Sequence, residues 1–351
     1  MIANLRLQHF RSYKDDSFEF SPGVNLVVGP NAIGKTNLLE AILVLARGGS
    51  YRVKDSDLIQ FGETWARLDA QTEKDAKRSV KIVGDTENAK SFEIDGKTYR
   101  RLTLSNMLPI VLFEPNNLQL LSGGPDRRRE FIDDLLEQTT AGYGVLRRQY
   151  RRALAQRNAL LKQDVQNAQT KLFPWNVRLS QLAGQIVQAR NQLTEQLNKQ
   201  NKQIYKELSR AKTKVELTYD SRWLVSGYDS NYLKKLESSL EIDKLRGFTS
   251  TGPHREDLKI TFDGRLAQET ASRGEIRSFI LSLKICELQI LEKYHNTKPL
   301  LLLDDVFSEL DGKRRHALTD YLSSYQTFIT TTDADLVINH LTGTTNILPI
   351  G

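Results

Sequence analysis

The stretch GPNAIGKTN at residues 29–37 restricts the fold more than any other part of the sequence. It follows an apolar run that begins at Val24 and precedes a second one that begins at Leu38, as a loop between a strand and a helix does. Its spacing is G-x-x-x-x-G-K-[ST], in which backbone N–H groups surround phosphates, the lysine reaches the terminal phosphates and the hydroxyl binds Mg²⁺. An ordinary turn is the alternative. The sequence therefore predicts a nucleotide site formed by Gly29, Pro30, Asn31, Ala32, Ile33, Gly34, Lys35 and Thr36.

The segment KPLLLLDDVFSELD at residues 298–311 supplies the carboxylate that such a loop requires. Four consecutive leucines predict a strand buried on both faces, and this strand ends in Asp304 and Asp305. A carboxylate at this position holds Mg²⁺ in P-loop ATPases. We therefore expect Thr36 and Asp304 to bind Mg²⁺, and Asp305 to be the catalytic base that activates water. The alternative is that the two aspartates only cap the next segment.

Chain length and the order of the patterns predict two lobes. The chain has 351 residues, which exceeds a usual domain of roughly 100 to 200 residues. Strand patterns and one helix, from about Thr36 to Ala46, occupy residues 1–113. Helical spacing occupies residues 127–210, with a break expected at Phe173 and Pro174, and strand patterns return from Val215. We therefore expect an α/β ATPase head in two parts, residues 1–115 and 255–351, with a helical second lobe inserted at residues 116–254.

Composition limits the compartment and the partners. The net charge of +7 and the pI of about 9.3 favour a polyanionic partner. Cys286 is the single cysteine, so an internal disulfide and a structural zinc site of cysteines are both excluded. The first residues carry charges every few positions, and no run of about 18 uncharged apolar residues occurs. We therefore expect a cytoplasmic protein that is neither exported nor membrane-spanning.

The stretch TASRGEIRS at residues 270–278 resembles the signature motif of ABC-type ATPases. A serine and a glycine two residues apart open a predicted helix, although S-x-G before a helix is also a good N-cap. The resemblance implies that this helix start binds the γ-phosphate of a nucleotide held by the opposite subunit. The residues that carry the motif are Ser272, Arg273, Gly274 and Glu275. An N-K-x-D motif, which a guanine-specific GTPase would use, is not found in the sequence.

Four further segments resemble the bacterial RecF family of recombination mediators. They are HFRSY at residues 9–13, PNNLQLLSGGPDRRREFIDDLL at 115–136, TGPHREDL at 251–258 and LLDDVFSELDGKRRHAL at 302–318. The resemblance implies an ABC-type, SMC-like P-loop head, ATP as ligand, ATP-driven homodimerisation, slow ATP hydrolysis and binding of double-stranded or gapped DNA. It also implies work with RecO and RecR in loading RecA at single-stranded gaps. By the same resemblance, Arg11 belongs to the nucleotide site, and Ser308 and Asp311 to a D-loop.

The sequence departs from this family at one position and is typical of it at another. Asn116 stands where an acidic residue usually follows Pro115. Asp305 is usual in the family, whereas faster ABC ATPases have glutamate; the shorter side chain predicts slow turnover. Residues 330–332 are threonines where many ABC enzymes have a switch histidine, and we expect Thr331 to contact the γ-phosphate side.

The helical lobe carries a candidate DNA surface in RRQYRR at residues 147–152. Arg147, Arg148, Arg151 and Arg152 recur at spacings that place them on one helix face. This face either contacts DNA phosphates or is simply solvated. Further along the chain, His254 and Arg255 form either a catalytic pair or a hinge.

A structural DNA-bridging protein of the SMC kind is the alternative function, because it would share every motif above. SMC proteins carry coiled-coil arms of hundreds of residues. Roughly 130 residues separate the two predicted halves of the head here, which is too few for a long arm. The sequence therefore favours an ATP-gated DNA-binding homodimer.

Overall fold

The computed structural model describes residues 1–72, 75–84, 90–163, 168–209, 213–322, 324–340 and 345–351. The chain forms two units, one of Met1–Asn117 with Lys284–Gly351 and one of Leu118–Leu283. The first boundary lies close to the division expected after residue 115. The second lies after Leu283 and not after residue 254, because the strands near residues 215–262 pack against a long helix of the second unit.

The first unit contains two sheets and the helix that follows the nucleotide loop. Its N-terminal elements are β1 (Ile2–Phe10), β2 (Tyr13–Glu19), β3 (Val24–Val28), α1 (Lys35–Arg47), β4 (Trp65–Thr72), β5 (Lys77–Val83), β6 (Lys90–Ile94), β7 (Lys97–Tyr99) and β8 (Ile110–Phe113). α1 matches the predicted helix and ends at Gly48, whose φ of 87° is left-handed. The predicted strands of this part are confirmed.

The second unit is mainly helical and contains a three-stranded sheet of order β11-β10-β9. Its elements are α2 (Gln119–Ser122), α3 (Pro125–Thr139), α4 (Tyr143–Leu161), α5 (Ala168–Ser209), β9 (Val215–Asp220), α6 (Tyr228–Ser238), α7 (Leu240–Arg246), β10 (Asp257–Phe262), β11 (Arg265–Leu266), α8 (Ala267–Thr270) and the first part of α9 (Arg273–His295). The helical spacing expected over residues 127–210 is confirmed by α3, α4 and α5, and α4 lies against α5. The strand patterns expected from Val215 onward are confirmed in β9 and β10.

The break expected at Phe173 and Pro174 is wrong, because α5 continues through Pro174. This proline lies in the second turn of the helix. The missing N–H there leaves only one early carbonyl, that of Thr170, without its intrahelical donor.

The C-terminal part of the chain completes the first unit. It contains β12 (Leu300–Asp304), α10 (Val306–Glu309), α11 (Gly312–Leu322), β13 (Thr327–Thr331), α12 (Ala334–Ile338) and β14 (Thr345–Pro349). The parallel sheet has the order β14-β3-β13-β12-β8, and the antiparallel sheet has the order β2-β1-β4-β5-β6-β7. α1 is packed between apolar residues of both sheets, including Leu7, Ile82 and Phe328. The fold is therefore α/β, and the carboxyl ends of β3, β13, β12 and β8 lie along one edge of the parallel sheet.

Among the described residues, no helix is long and apolar enough to cross a membrane.

Candidate nucleotide-binding site

The loop between β3 and α1 is shaped by a glycine at the start of the helix. Gly34 has a φ of 119°, which strains any residue with a Cβ atom. A Cβ atom there would lie 2.6 Å from the Ser12 Oγ. The Tyr13 hydroxyl donates a hydrogen bond of 3.0 Å to the Gly34 carbonyl. The tip between β1 and β2 therefore holds the loop against the start of α1, where free backbone N–H groups favour an anion.

Lys35 points back into the loop. Its Nζ donates hydrogen bonds of 2.6 Å to the Gly29 carbonyl and 2.7 Å to the Pro30 carbonyl. Burial lowers the pKa of Lys35, while the carboxylates of Asp305 and Asp304 act in the opposite direction. The ammonium group is thus the cation that the two aspartates face. It can exchange its two neutral carbonyl acceptors for phosphate oxygens, which form stronger, charge-assisted bonds.

Thr36 and Asp304 meet although 268 positions separate them in the sequence. The Thr36 hydroxyl donates a hydrogen bond of 3.0 Å to the Asp304 Oδ1. Two neighbouring oxygen ligands of octahedral Mg²⁺, each about 2.0 to 2.1 Å from the ion, lie about 2.9 Å apart. No cluster of three or more histidine, cysteine or acidic side chains suited to a metal occurs in the described ranges. One hydroxyl and one carboxylate fit Mg²⁺ that also binds nucleotide phosphates.

Thr330 is a site residue that the sequence analysis did not single out. β12 and β13 are parallel, and Asp304 pairs with Thr330 in their register. The buried Thr330 hydroxyl donates to the Asp304 Oδ1 at 2.7 Å and accepts from the Asp305 N–H at 2.9 Å. The Thr331 hydroxyl, predicted to be the switch, instead donates to the Asp333 carbonyl at 3.0 Å. Only the strand register distinguishes the two threonines, and the sequence did not reveal it.

Asp305 begins the short helix α10 in a left-handed conformation, with a φ of 52°. Its side chain is exposed, whereas that of Asp304 is half-buried. Partial desolvation raises the pKa of the Asp305 carboxyl, and the nearby Asp304 raises it further, while a hydrogen bond from Ser308 opposes the shift. A carboxylate with a raised pKa, near a cation and open to solvent, can accept a proton from water.

The two D-loop candidates make local contacts in the first unit. The Ser308 hydroxyl donates to the Asp305 carbonyl at 2.7 Å. Asp311 precedes α11, accepts from the Arg314 N–H at 3.0 Å and is also ion-paired with the Arg314 guanidinium. The Asp311 carboxylate thus caps the start of α11, and the Ser308 hydroxyl ties α10 to the backbone of Asp305.

Glu114 is a second site residue that the sequence analysis did not identify. β8 and β12 are parallel, with Phe113 opposite Leu303, so the next pair in register is Glu114 beside Asp304. Burial raises the pKa of the Glu114 carboxyl and Asp304 raises it further, whereas Lys284 and Arg52 lower it. The rule that polar residues after parallel strands share one edge could have identified it from Ile110 to Phe113.

Arg11 supports α1. Its Nε donates to the Oε2 of the fully buried Glu40 at 2.8 Å, and its NH1 donates to the Asp57 carbonyl at 3.0 Å. An unpaired buried carboxylate would be strongly unfavourable, so Arg11 holds the middle of α1 in place. The guanidinium that was assigned to the nucleotide therefore has protein partners in this structure.

The signature residues lie in the second unit, where they form a capping box at the start of α9. The Ser272 hydroxyl donates to the Glu275 Oε2 at 2.8 Å and accepts from the Glu275 N–H at 3.3 Å. Hydrogen bonds from the Ser272 backbone and hydroxyl lower the pKa of Glu275. Ser272 and Arg273 are exposed, and Gly274 is half-buried. The motif is therefore both a good N-cap and a helix start open to a ligand.

The four arginines of the candidate DNA face are not equivalent. Arg147 lies 3.0 Å from the Asp133 carboxylate and 2.9 Å from the Glu137 carboxylate, and its side chain is only 14% exposed. Its guanidinium is therefore already neutralised inside the second unit. Arg148, Arg151 and Arg152 are exposed on α4, so three of the four can contact an external anion.

Comparison with known proteins gives one family. Residues 1–346 match the family described as RecF/RecN/SMC N terminal domain. The DNA replication and repair protein RecF of Heliobacterium modesticaldum is 37% identical over 94% of this chain and 92% of its own. The protein of the same name from Ruminiclostridium cellulolyticum is 34% identical over 100% of this chain and 97% of its own.

Solved structures give the same result. A structure of the recombination mediator protein RecF with ATPrS, from the RecFOR pathway, has a TM-score of 0.89 and 30% identity over 99% of this chain and 96% of its own. An Smc head bound to the C-winged helix domain of ScpA has a TM-score of 0.54 and 17% identity over 99% of this chain and 93% of its own. The second likeness concerns the fold alone, which is that of an SMC-like ATPase head.

Proposed function

The chain belongs to the RecF family of DNA replication and repair proteins, and from this premise we propose that it is an ATP-dependent, DNA-binding recombination mediator. The proposal rests above all on the hydrogen bond between Thr36 and Asp304. It joins the phosphate-binding loop to the acidic end of a buried strand, which is the arrangement that places a nucleotide with Mg²⁺. ATP-bound relatives of the same fold support ATP as the ligand.

In the proposed mechanism, the residues of the first unit bind the nucleotide and polarise water. The backbone of residues 29–36 and the Lys35 ammonium bind the phosphates, and Thr36 with Asp304 hold Mg²⁺, which neutralises phosphate charge when it is bound. Asp305 accepts a proton from the attacking water. Its short side chain keeps hydrolysis slow. The role of hydrolysis is therefore to limit how long the ATP-bound state lasts, and the products ADP and phosphate have no further use.

Dimerisation follows from the signature motif. Ser272 is exposed at the N-terminus of a long helix, and the helix start attracts negative charge. We assign this end to the γ-phosphate of a nucleotide held by a second copy of the chain. ATP then forms part of the interface, and the homodimer persists until ATP is hydrolysed.

The proposed partners are DNA, RecO and RecR, and the proposed outcome is the loading of RecA at single-stranded gaps, in the cytoplasm. Support comes from the RecFOR pathway named for the related structures, from the net charge of +7 and from the exposed arginines of α4. Arg148, Arg151 and Arg152 are the residues we assign to duplex phosphates.

The test is sedimentation of the wild type and of two matched variants with ATP, with ADP and without nucleotide. Ser272→Arg places a cation in the signature helix start, and Thr270→Arg places the same charge at an exposed position just outside the motif. We expect Ser272→Arg to bind ATP as a monomer and to form no dimer, while Thr270→Arg dimerises normally. Loss of ATP binding by the Ser272→Arg monomer would contradict the role in trans.

Asp305→Asn separates the mediator from the alternative, a structural DNA-bridging protein with incidental hydrolysis. The amide keeps the size of the side chain but cannot accept the proton. For a clamp timed by hydrolysis, the variant should bind ATP, dimerise, stay on DNA after ATP is removed and fail to support RecA loading. A wild type that bridges DNA but supports no RecA loading would favour the bridging function, and a variant that loads RecA as the wild type does would contradict the timing role of hydrolysis.

A further inference from the structure

The segment Thr251 to Asp257 in the second unit is fixed at almost every residue. The Tyr232 hydroxyl donates to the Thr251 carbonyl at 2.8 Å, and the Arg190 guanidinium donates to the Pro253 carbonyl at 2.7 Å. Gly252 has a φ of 129°, and a Cβ atom there would lie 2.4 Å from the Tyr232 hydroxyl. The segment is therefore a rigid turn whose glycine cannot be replaced without displacing buried tyrosines.

His254 takes part in this framework. Its Nδ1 lies 2.7 Å from the Tyr150 hydroxyl and its Nε2 lies 3.1 Å from the Thr249 carbonyl. Since a carbonyl only accepts, Nε2 carries the proton and Nδ1 accepts from Tyr150. Burial is the main reason that the pKa of His254 is lowered to about 4; the hydrogen bond to the Thr249 carbonyl opposes this shift, and the cations of Arg255, Arg129 and Arg190 contribute to it. The ring is thus a neutral structural group within a region of positive potential.

Two arginines beside this turn are not used by the framework. Arg255 and Arg222 are exposed, and within the described ranges neither guanidinium has a hydrogen bond or an ion pair. The Arg255 guanidinium lies 5.1 Å from the centre of the Phe248 ring, and that of Arg222 lies 5.6 Å from the centre of the Trp223 ring. Stacking on an aromatic ring orients a guanidinium and leaves its N–H donors free.

Both arginines line one cavity of about 290 Å³, together with other residues of 220–222, 250–252 and 255–257. The three carboxylates of its lining already have donors. Asp257 accepts two bonds of 2.8 Å from Arg128, Asp220 lies 2.9 Å from the Lys259 ammonium, and Glu256 accepts from the hydroxyls of Tyr219 and Tyr228 and from the Arg222 N–H. Asp257 and Asp220 are thus paired with cations, whereas these donors to Glu256 are neutral. The two guanidinium groups outnumber this one carboxylate, so the lining keeps a net positive charge.

We propose that this cavity is a binding site for a phosphate group carried on a nucleic-acid strand, with Arg222 and Arg255 as its donors. Each guanidinium group presents its N–H donors in a planar fork that matches the geometry of phosphate oxygens. The aromatic partners favour a strand with unstacked bases as the source of the phosphate. A phosphate that draws the two guanidinium groups from Phe248 and the half-buried Trp223 leaves those ring faces open to bases. The inference rests on the proposed DNA-binding function and adds a second contact, separate from the arginines of α4.

The first experiment measures binding of a fluorescent oligothymidylate over a series of salt concentrations. We expect Arg222→Gln and Arg255→Gln each to lower the affinity, roughly tenfold for the pair. The double variant should also lower the slope of log K against log salt by about 0.7, the value for one phosphate on a single strand. Arg265→Gln, which removes an exposed arginine of β11 outside the cavity, is the control and should change neither quantity. Equal behaviour of the double variant and the control would overturn the proposal.

The second experiment needs no nucleic acid and uses inorganic phosphate as the probe, with chloride at equal ionic strength as the reference. A phosphate that draws Arg222 from the Trp223 ring should change tryptophan fluorescence, and the change should vanish in Trp223→Phe and in the double variant. A response that is unchanged in the double variant would overturn the site. If the wild type responds to phosphate but binds no DNA with or without ATP, the proposed function fails and the phosphate site stands.

Discussion

Replacing Thr330 with valine removes one hydroxyl at nearly constant volume from the centre of the proposed site. That hydroxyl donates to the Asp304 carboxylate at 2.7 Å and accepts from the Asp305 N–H at 2.9 Å. A hydrogen bond to a charged group contributes about 1.5 to 3 kcal/mol and a neutral one about 1 kcal/mol. Because Asp304 is half-buried and partly solvated, we expect the loss of both bonds to lower the free energy of unfolding by about 2 kcal/mol, near the bottom of the summed range. For a unit of this size, that lowers Tm by about 4 to 8 °C.

Thr331→Val is the matched control, since its hydroxyl makes only neutral bonds of 3.0 and 3.1 Å within its own turn, to the backbone of Asp333. We expect it to cost less than about 1 kcal/mol. Calorimetry measures stability, and titration of ATP with Mg²⁺ measures affinity. Loss of the group that orients a metal-binding carboxylate weakens metal affinity by roughly 10- to 100-fold. Thr330→Val should show this loss and Thr331→Val should not. Equal effects of the two substitutions, or a larger effect of Thr331→Val on affinity, would refute the assignment of Thr330.

Three further outcomes follow from the structure. Lys35→Ala should abolish ATP binding in a calorimetric titration, because the loop then has no side-chain cation for the phosphates; unchanged affinity would contradict the site. Arg148→Gln with Arg152→Gln should reduce the slope of log K for duplex DNA against log salt by about 0.9 per lost phosphate contact; an unchanged slope would make the face of α4 merely solvated. The folded-state pKa of His254, about 4, lies below the usual 6.5. The contribution of the neutral ring to the free energy of unfolding is therefore fully present above pH 6.5 and is lost as the pH falls to 4. Across this pH range, the free energy of unfolding in urea should fall by up to about 3 kcal/mol more for the wild type than for His254→Gln. Parallel curves of this free energy against pH for the two proteins would contradict the prediction.

The parts of the fold that could be predicted are those that short-range patterns encode. The loop at Gly34, the helix after it and the leucine strand before Asp304 each carry their signal within about ten residues. The edge of a parallel sheet then brings strand ends together by geometry, which is why the proximity of Thr36 and Asp304 could be expected. The predicted and observed elements agree here because the short sequence of each element is enough to determine its structure.

The parts that could not be predicted depend on register and on pairing over long distances. Thr330 and Thr331 are chemically identical, and only the pairing of β13 with β12 decides which of them reaches Asp304. Arg147 has the same helical spacing as its neighbours, but Asp133 and Glu137 of the preceding helix neutralise it. Helical periodicity shows on which face of its own helix a residue lies, but it does not show which side chains of an adjacent helix will contact that residue.

The position of β3 in the sheet explains why the nucleotide site requires both ends of the chain. β3 carries the loop, and its two neighbours, β13 and β14, both come from the C-terminal part. Asp304 and Thr330, which fix the Thr36 side of the loop, come from that part as well. The N-terminal part alone would therefore present a loop on an unpaired strand, with its lysine and threonine but without the carboxylate or the sheet that positions them. The site therefore forms when the first unit folds. Because these contacts join residues about 300 positions apart, we expect this folding step to be slow.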